Sequence, residues 1–316
     1  MNGPIQSLMI MNPSTKHCLL SLCLLLACPY TMADNSAPIP SDTVEYLVAN
    51  ASVCPVRENP SYAAEQATQL LFGEVCELVE RQRRWTKVRS TIDGQVGWVS
   101  SSMLTPISSV IASSLSPDRL DAVVVTPMAT ATPINGGAPL LLTLGTRLPN
   151  YSQGTFEVLG QQYRIPSICV NVTTAKRSTG AADLQRSDLV RIAQSLLNTP
   201  YLWGGKNAMG LDCSGFTQVV YAAIGVNILR NAREQITQGE QVNRLADALP
   251  GDLAFFGYTD RNTQAIKITH VGLLLSPTEI IHCAGGRVHV DRIDTQGIYL
   301  PDGTMTHHLI QIRRYL

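Results

Sequence analysis

Charge is scarce in this sequence and evenly balanced. Asp, Glu, Lys and Arg make up 15% of the chain, with 24 of each sign and no formal net charge. No basic footprint of the kind nucleic-acid binding requires is present, so no nucleic-acid partner is expected. Aromatic residues are few, at 6%. No CxxC pair occurs, and beyond the N-terminal apolar segment the cysteines are Cys54, Cys76, Cys169, Cys213 and Cys283. An odd number without paired spacing argues against a zinc site or a disulfide framework. A Cys54–Cys76 bridge inside the first small domain is the one pairing left open. The apolar run from Cys18 to Cys28 is too short to span a bilayer.

What is present suits a globular chain of two or three domains, with 45% apolar residues in a length of 316. Lys16 and His17 precede the apolar run, so residues 1–33 read as a secretory signal and the protein is expected in the cell envelope or outside the cell. Two processing routes compete. Thr31-Met-Ala33 fits a cleavage site, and Leu25-Leu-Ala-Cys28 is similar to a lipobox, which would make Cys28 a lipid anchor. Residues 34–43, rich in Ser and Pro, form a linker.

Residues 44–105 show short strands broken by turn residues, over Val44–Ala49, Gln69–Phe72, Glu74–Glu80, Trp85–Arg89 and Gly97–Val99, with Asp93-Gly94 as a hairpin signal. The pattern suits a small all-β barrel. Residues 106–172 show a second set, over Ala122–Thr126, Leu140–Leu144, Thr155–Leu159 and Tyr163–Ile165, read as a degenerate copy of the first. Residues 173–182 are a polar linker. The last domain, 183–316, opens with a helix whose stripe is Leu189, Ile192, Ala193, Leu196 and Leu197, stopped at Thr199-Pro200. Strands follow over Leu253–Phe256, Ile266–Leu275, Glu279–Cys283, Arg287–Val290 and His308–Arg313. Helices first and strands afterwards predict an α+β domain with a largely antiparallel sheet.

Within this domain Asn198–Gly215 crowds glycines, Tyr201, Trp203 and Asp212 in front of Cys213. The apolar positions Phe216, Val219, Val220, Ala223 and Ile224 follow at helical spacing, with Gly225 as the stop. Cys213 therefore sits at a helix start, where the dipole and free amides favour a thiolate. From the residues alone it is either a buried structural cysteine or a nucleophile. Asp212 is a natural helix N-cap. His270, in an otherwise apolar strand, suits a general base, and His282 on the next strand suits the residue that orients it.

Pro200-Tyr-Leu-Trp-Gly-Gly205, Gly210-Leu-Asp-Cys-Ser-Gly215, Gly251-Asp-Leu-Ala-Phe-Phe256, His270-Val-Gly272 and His282, in this order, resemble the NlpC/P60 cysteine peptidases across nearly all of 183–316. The segments Val56-Arg57, Pro60-Ser61, Gln69–Glu74 and Asp93–Val99 resemble a bacterial SH3-like domain. The resemblance implies a papain-like catalytic core behind SH3-like barrels, acting on peptidoglycan stem peptides or muropeptides, with Cys213 as nucleophile, His270 as base and His282 as third member. It implies no metal or cofactor.

It further implies cleavage of the γ-D-Glu–L-diamino acid bond in peptides with a free N-terminal L-Ala, bound by Tyr201, Trp203, Asp212 and Ser214. Glu65 would be the carboxylate offered by the first barrel, and Arg230 and Arg233 further contacts. The tyrosine expected in the Asp93–Trp98 turn is Gln95, which leaves the free-amine requirement open. Leu229 stands where the family usually has proline. The alternatives are an inactive wall-binding module, or an amidase or transpeptidase on the same fold. The sequence is silent on oligomeric state.

Overall fold

The computed structural model describes residues 44–117, 122–172 and 181–316. The signal, the Cys28 anchor, the 34–43 linker and most of the 173–182 linker lie outside the described residues. No helix among the described residues is long and apolar enough to cross a membrane.

The first unit is one seven-stranded sheet built from β1 (Tyr46–Ala49), β2 (Val53–Arg57), β3 (Gln66–Leu71), β4 (Val75–Gln82), β5 (Trp85–Ser90), β6 (Val96–Ser100) and β7 (Leu104–Ile107), in the order β3-β2-β6-β5-β4-β1-β7. Alternating residues close its core, among them Leu47, Val56, Leu70, Val88 and Val99. β7 pairs with β1, so the unit runs to Ile107, beyond the expected boundary at 105. β2 was not anticipated, because Pro55 breaks its pattern. Pro55 pairs with Gln69 of β3, while β2 meets β6 only at Arg57, so the missing N–H faces an open flank. Cys54 and Cys76 are both free and buried in this core. Their thiols meet backbone carbonyls of Met103 and Leu47, so the bridge left open by the sequence is not formed.

After α1 (Ser109–Ser114), the middle unit holds β8 (Ala122–Val124), β9 (Met128–Pro133), β10 (Leu140–Thr143), β11 (Thr155–Val158), β12 (Gln161–Arg164) and β13 (Val170–Val172). Its strands split into a four-stranded sheet, β10-β9-β12-β11, and a separate β13-β8 pair. This differs from the single sheet of the first unit. Phe72 of the first unit packs into the middle unit's core beside Phe156 and Leu148.

The last unit begins with α2 (Ala181–Ser195), which places Leu189, Ile192 and Ala193 in the core and starts two residues inside the expected linker. The short strands β14 (Lys206–Asn207) and β15 (Gly210–Leu211) lead into α3 (Cys213–Ala223). The Asp212 side chain accepts the Gly215 amide to cap α3, and Gly225, at φ +83°, turns the chain away from it. Then come α4 (Ala232–Gln235), β16 (Glu240–Val242), β17 (Leu253–Thr259), β18 (Ile266–Ser276), β19 (Glu279–Ala284), β20 (Arg287–Ile293), β21 (Gly297–Tyr299) and β22 (Met305–Arg314). They form a sheet ordered β16-β22-β17-β18-β19-β20-β21, and β21 also pairs with β22, which closes the ring.

Strand alternation divides the side chains of this ring between two cores. Leu253, Phe255, Val271, Leu273 and Ile281 pack with α2 and α3. Ala254, Phe256, Leu274, Ile280 and Ile293 form the other core.

The first and last units are joined by a buried ion pair: Lys206 Nζ donates to both carboxylate oxygens of Glu74, at 2.9 and 3.0 Å. Both residues are 4% exposed. Removing one partner strands a charge in the protein interior, which costs about 3–5 kcal/mol, whereas replacing both with apolar residues is close to neutral. Glu74→Ala is therefore expected to lower the free energy of urea unfolding by about 3 kcal/mol or more, and the pair Glu74→Leu/Lys206→Met to recover most of that loss. Unchanged stability of Glu74→Ala would contradict the assignment.

Candidate active site

A cavity of about 790 Å³ opens at the start of α3. Its wall includes Cys213, Tyr201, Trp203, Asp212, Ser214 and His270, so the residues singled out in the sequence converge on one place. Cys213 stands at the first turn of α3, and its sulfur accepts the backbone amides of Val271 and Ser214. The Val271 contact brings the thiol to β18, next to His270.

The histidine pair follows from strand parity. His270 shares a face of β18 with Leu274, and His282 shares a face of β19 with Ile280. Leu274 and Ile280 are cross-strand partners in the same core, so both imidazoles point to the same side. That register continues to place Gly272 opposite His282. A Cβ on Gly272 would come within 2.9 Å of the His282 Cβ, so only glycine admits this approach. His270 Nε2 lies 2.8 Å from His282 Nδ1.

The sequence reading stopped at this pair, and the cluster is larger. His282 Nε2 lies 3.1 Å from Asp291 Oδ2, and His289 Nε2 lies 3.1 Å from the same oxygen. The His307 ring packs on His270 with centroids 4.3 Å apart. Four of the six histidines thus gather at one end of the closed sheet. The signal was available: His289 and Asp291 share parity on β20, and His289 pairs directly with His282. His282, His289 and Asp291 bring three donor atoms within 4.8 Å of one another, but these atoms are already engaged by their mutual hydrogen bonds.

Electrostatics revise one expectation. The helix start was predicted to favour a Cys213 thiolate. Burial, followed by the Asp212 carboxylate, instead pushes the thiol up to about 11, against the lowering by the Val271 amide and Arg230. Burial, and then His282, hold His270 well below the usual imidazole range, and burial also takes His307 down to about 4. The cavity wall therefore carries a neutral thiol and a neutral imidazole at rest.

Two expected substrate contacts are corrected. Arg230 is 1% exposed and spends its guanidinium on the protein. It donates to Asp212 Oδ1 and Oδ2 at 3.0 and 2.7 Å, to Ser214 Oγ at 2.9 Å, to Thr68 Oγ1 at 2.7 Å and to the Gly205 carbonyl at 3.4 Å. Nothing of it is left for a ligand, and Arg233 is the arginine that lines the cavity. Glu65 is exposed and does not line the cavity. Its carbonyl accepts the Glu58 amide, and Glu58 is the carboxylate the first unit offers to the wall. Gln95 also lines the cavity and donates to Glu234 of α4.

Comparison with known proteins agrees with this architecture. Residues 198–308 match the model of the NlpC/P60 family, and residues 56–104 match that of the bacterial dipeptidyl-peptidase Sh3 domain. The chain is 30% identical over 227 residues to a gamma-D-glutamyl-L-lysine dipeptidyl-peptidase of Bacillus subtilis, covering 68% of this chain and 71% of that protein. It is 28% identical to the protein of that name from Bacillus cereus, covering 68% and 66% respectively. The fold is similar to the crystal structure of an NlpC/P60 family protein from Bacillus cereus, with a TM-score of 0.70 and 22% identity, covering 86% of this chain and 99% of that one.

The raised thiol makes a substrate-independent prediction. Since the thiolate is the species that alkylates, Cys213 is expected to react slowly with iodoacetamide at pH 7 and faster as pH rises toward about 11. Peptide mass spectrometry reads the rate at this residue. A reactivity plateau already complete below pH 7 would indicate a preformed thiolate–imidazolium pair.

Proposed function

Because the chain belongs to the NlpC/P60 family of cysteine peptidases, we propose that it cleaves the γ-D-Glu–L-diamino acid bond of short peptidoglycan stem peptides with a free N-terminal L-Ala. We infer an exported enzyme of the cell envelope, with a papain-like catalytic core and a middle unit that is a degenerate second SH3-like barrel. The relatives from two Bacillus species carry names that specify a γ-D-glutamyl-L-lysine bond, which supports this choice of linkage.

The observation that carries the substrate class is the wall supplied by the first unit. Glu58, Ala67 and Gln95 line the same cavity as Cys213, so the SH3-like domain closes part of the cleft. A cavity of about 790 Å³ accommodates a few residues of peptide and not a cross-linked strand. The charge of Asp212 is matched by Arg230, so the carboxylate assigned to the substrate amine is Glu58.

The reaction follows from the neutral pair. The Cys213 sulfur attacks the γ-carbonyl of D-Glu while its proton passes to His270, and backbone amides at the start of α3 stabilise the oxyanion. His270 then gives that proton to the departing amine of the diamino acid, leaving a thioester. Water, deprotonated by His270, releases L-Ala-D-Glu and restores the thiol. His282 keeps the His270 ring oriented throughout.

The test is incubation of the purified protein with L-Ala-γ-D-Glu-diaminopimelate and with its N-acetylated form. Release of L-Ala-D-Glu from the first and not the second is expected, with Cys213→Ala inactive. Absence of product from both peptides, or equal rates on the two, contradicts the reading. Glu58→Gln is expected to raise KM by about tenfold, equivalent to about 1.4 kcal/mol of lost binding, with kcat little changed. Steady-state kinetics on the free-amine peptide read both.

A further inference from the structure

The strongest unassigned feature is the carboxylate behind the histidine pair. Each imidazole has two nitrogens, and a neutral ring carries one proton, so a chain of two rings has two possible polarities. In one, His270 Nε2–H donates to His282 Nδ1, His282 Nε2–H points at Asp291, and His270 Nδ1 keeps the lone pair a base requires. In the other the protons are reversed, His270 has no lone pair left for a thiol proton, and the His282 Nε2 lone pair faces Asp291 Oδ2 at 3.1 Å. The second arrangement sets a lone pair against a carboxylate and is unfavourable.

We propose that Asp291 is a positioning residue that selects the active polarity of the His270–His282 pair, and that His289 anchors it in place. His289 Nε2 lies 3.1 Å from Asp291 Oδ2 and its Nδ1 lies 2.9 Å from the Arg287 carbonyl. The ring is thus held from both sides, against the Asp291 carboxylate and the Arg287 carbonyl. The chain His270, His282, Asp291, His289 therefore ends at the rim of the sheet.

The titratable groups facing Asp291 and His289 are His282 on β19 and, beyond it, His270 on β18 and His307 on β22. Arg292 turns away to lie over the Tyr299 ring at 4.6 Å. The bond from His282 holds the Asp291 carboxyl below its usual range, so it stays an acceptor at neutral pH. When His270 takes the thiol proton, the positive charge spreads onto a ring whose far side already meets an anion.

Two measurements test this. Ring-nitrogen NMR on the full chain carrying Cys213→Ala needs no substrate and stands apart from the proposed function. It should show His282 protonated at Nε2 and bare at Nδ1, with this preference lost in the further variant Asp291→Asn. A proton on His282 Nδ1 with Asp291 intact overturns the proposal.

The kinetic arm rests on the proposed peptidase activity. Asp291→Asn should lower kcat by about a hundredfold or more with KM within about twofold, as when an amide replaces a histidine-orienting carboxylate. Without the anion the acidic limb of kcat/KM moves to lower pH. That shift is about half a unit or more, whereas His289→Gln, which keeps a donor to Asp291, leaves the limb within about half a unit of its position in the parent protein. Loss of activity in Asp291→Asn with the acidic limb unmoved would show a structural role only and contradict the inference.

Discussion

The interaction on which the rest depends is the buried fork of Arg230 on Asp212. Asp212 caps α3, so it fixes where the helix starts and hence where the Cys213 sulfur stands. Its oxygens also accept the Gly204 amide and the Ser214 hydroxyl, which ties the Trp203–Gly205 loop to the same point. Arg230 matches the charge of that carboxylate and extends to Thr68 of the SH3-like unit. Burying a guanidinium costs several kcal/mol unless every donor is used, and here its N–H groups reach five acceptor atoms. The Cys213 end of α3 and the SH3-like unit are thus held by one side chain.

The second constraint is parity. A closed antiparallel sheet places alternate residues on its two faces, and the catalytic unit uses one face for packing against α2 and α3. The other face is apolar through most of its area, with Phe256, Leu274 and Ile280, and turns to imidazole at one end. There burial lowers the basicity of His270, and burial also raises the Cys213 thiol, so both groups are neutral at rest. A different element, the SH3-like unit, adds Glu58 and Gln95 to the wall of the cavity.

Much of this was legible in the chain. The α3 stripe, its Asp212 cap, the strands carrying His270 and His282 and most strands of the SH3-like unit are local patterns, and each is present. What escaped depends on contacts far apart in sequence. Arg230 looked like a cleft residue because its position after the helix is near the site, but its partners lie 18 and 162 residues away. Glu65 and Glu58 are neighbours across a hairpin, and only the way the SH3-like unit packs on the last unit decides which faces the cavity. Strand β2 was hidden by Pro55, and the weak β14 to β16 and β21 segments are too short to carry a pattern. The helix dipole argument at Cys213 was sound locally and was outweighed by burial and the neighbouring Asp212 charge.

The central claim is that Asp212 and Arg230 are the frame of the site, while Glu58 and Cys213 face the substrate. A crystal structure of the Cys213→Ala protein with L-Ala-γ-D-Glu-diaminopimelate tests it most directly. The account predicts the peptide amine on Glu58, the γ-carbonyl beside residue 213, and the Arg230–Asp212 fork unchanged. A peptide whose amine displaces Arg230 from Asp212, or whose carboxylate is held by Arg230, would contradict it.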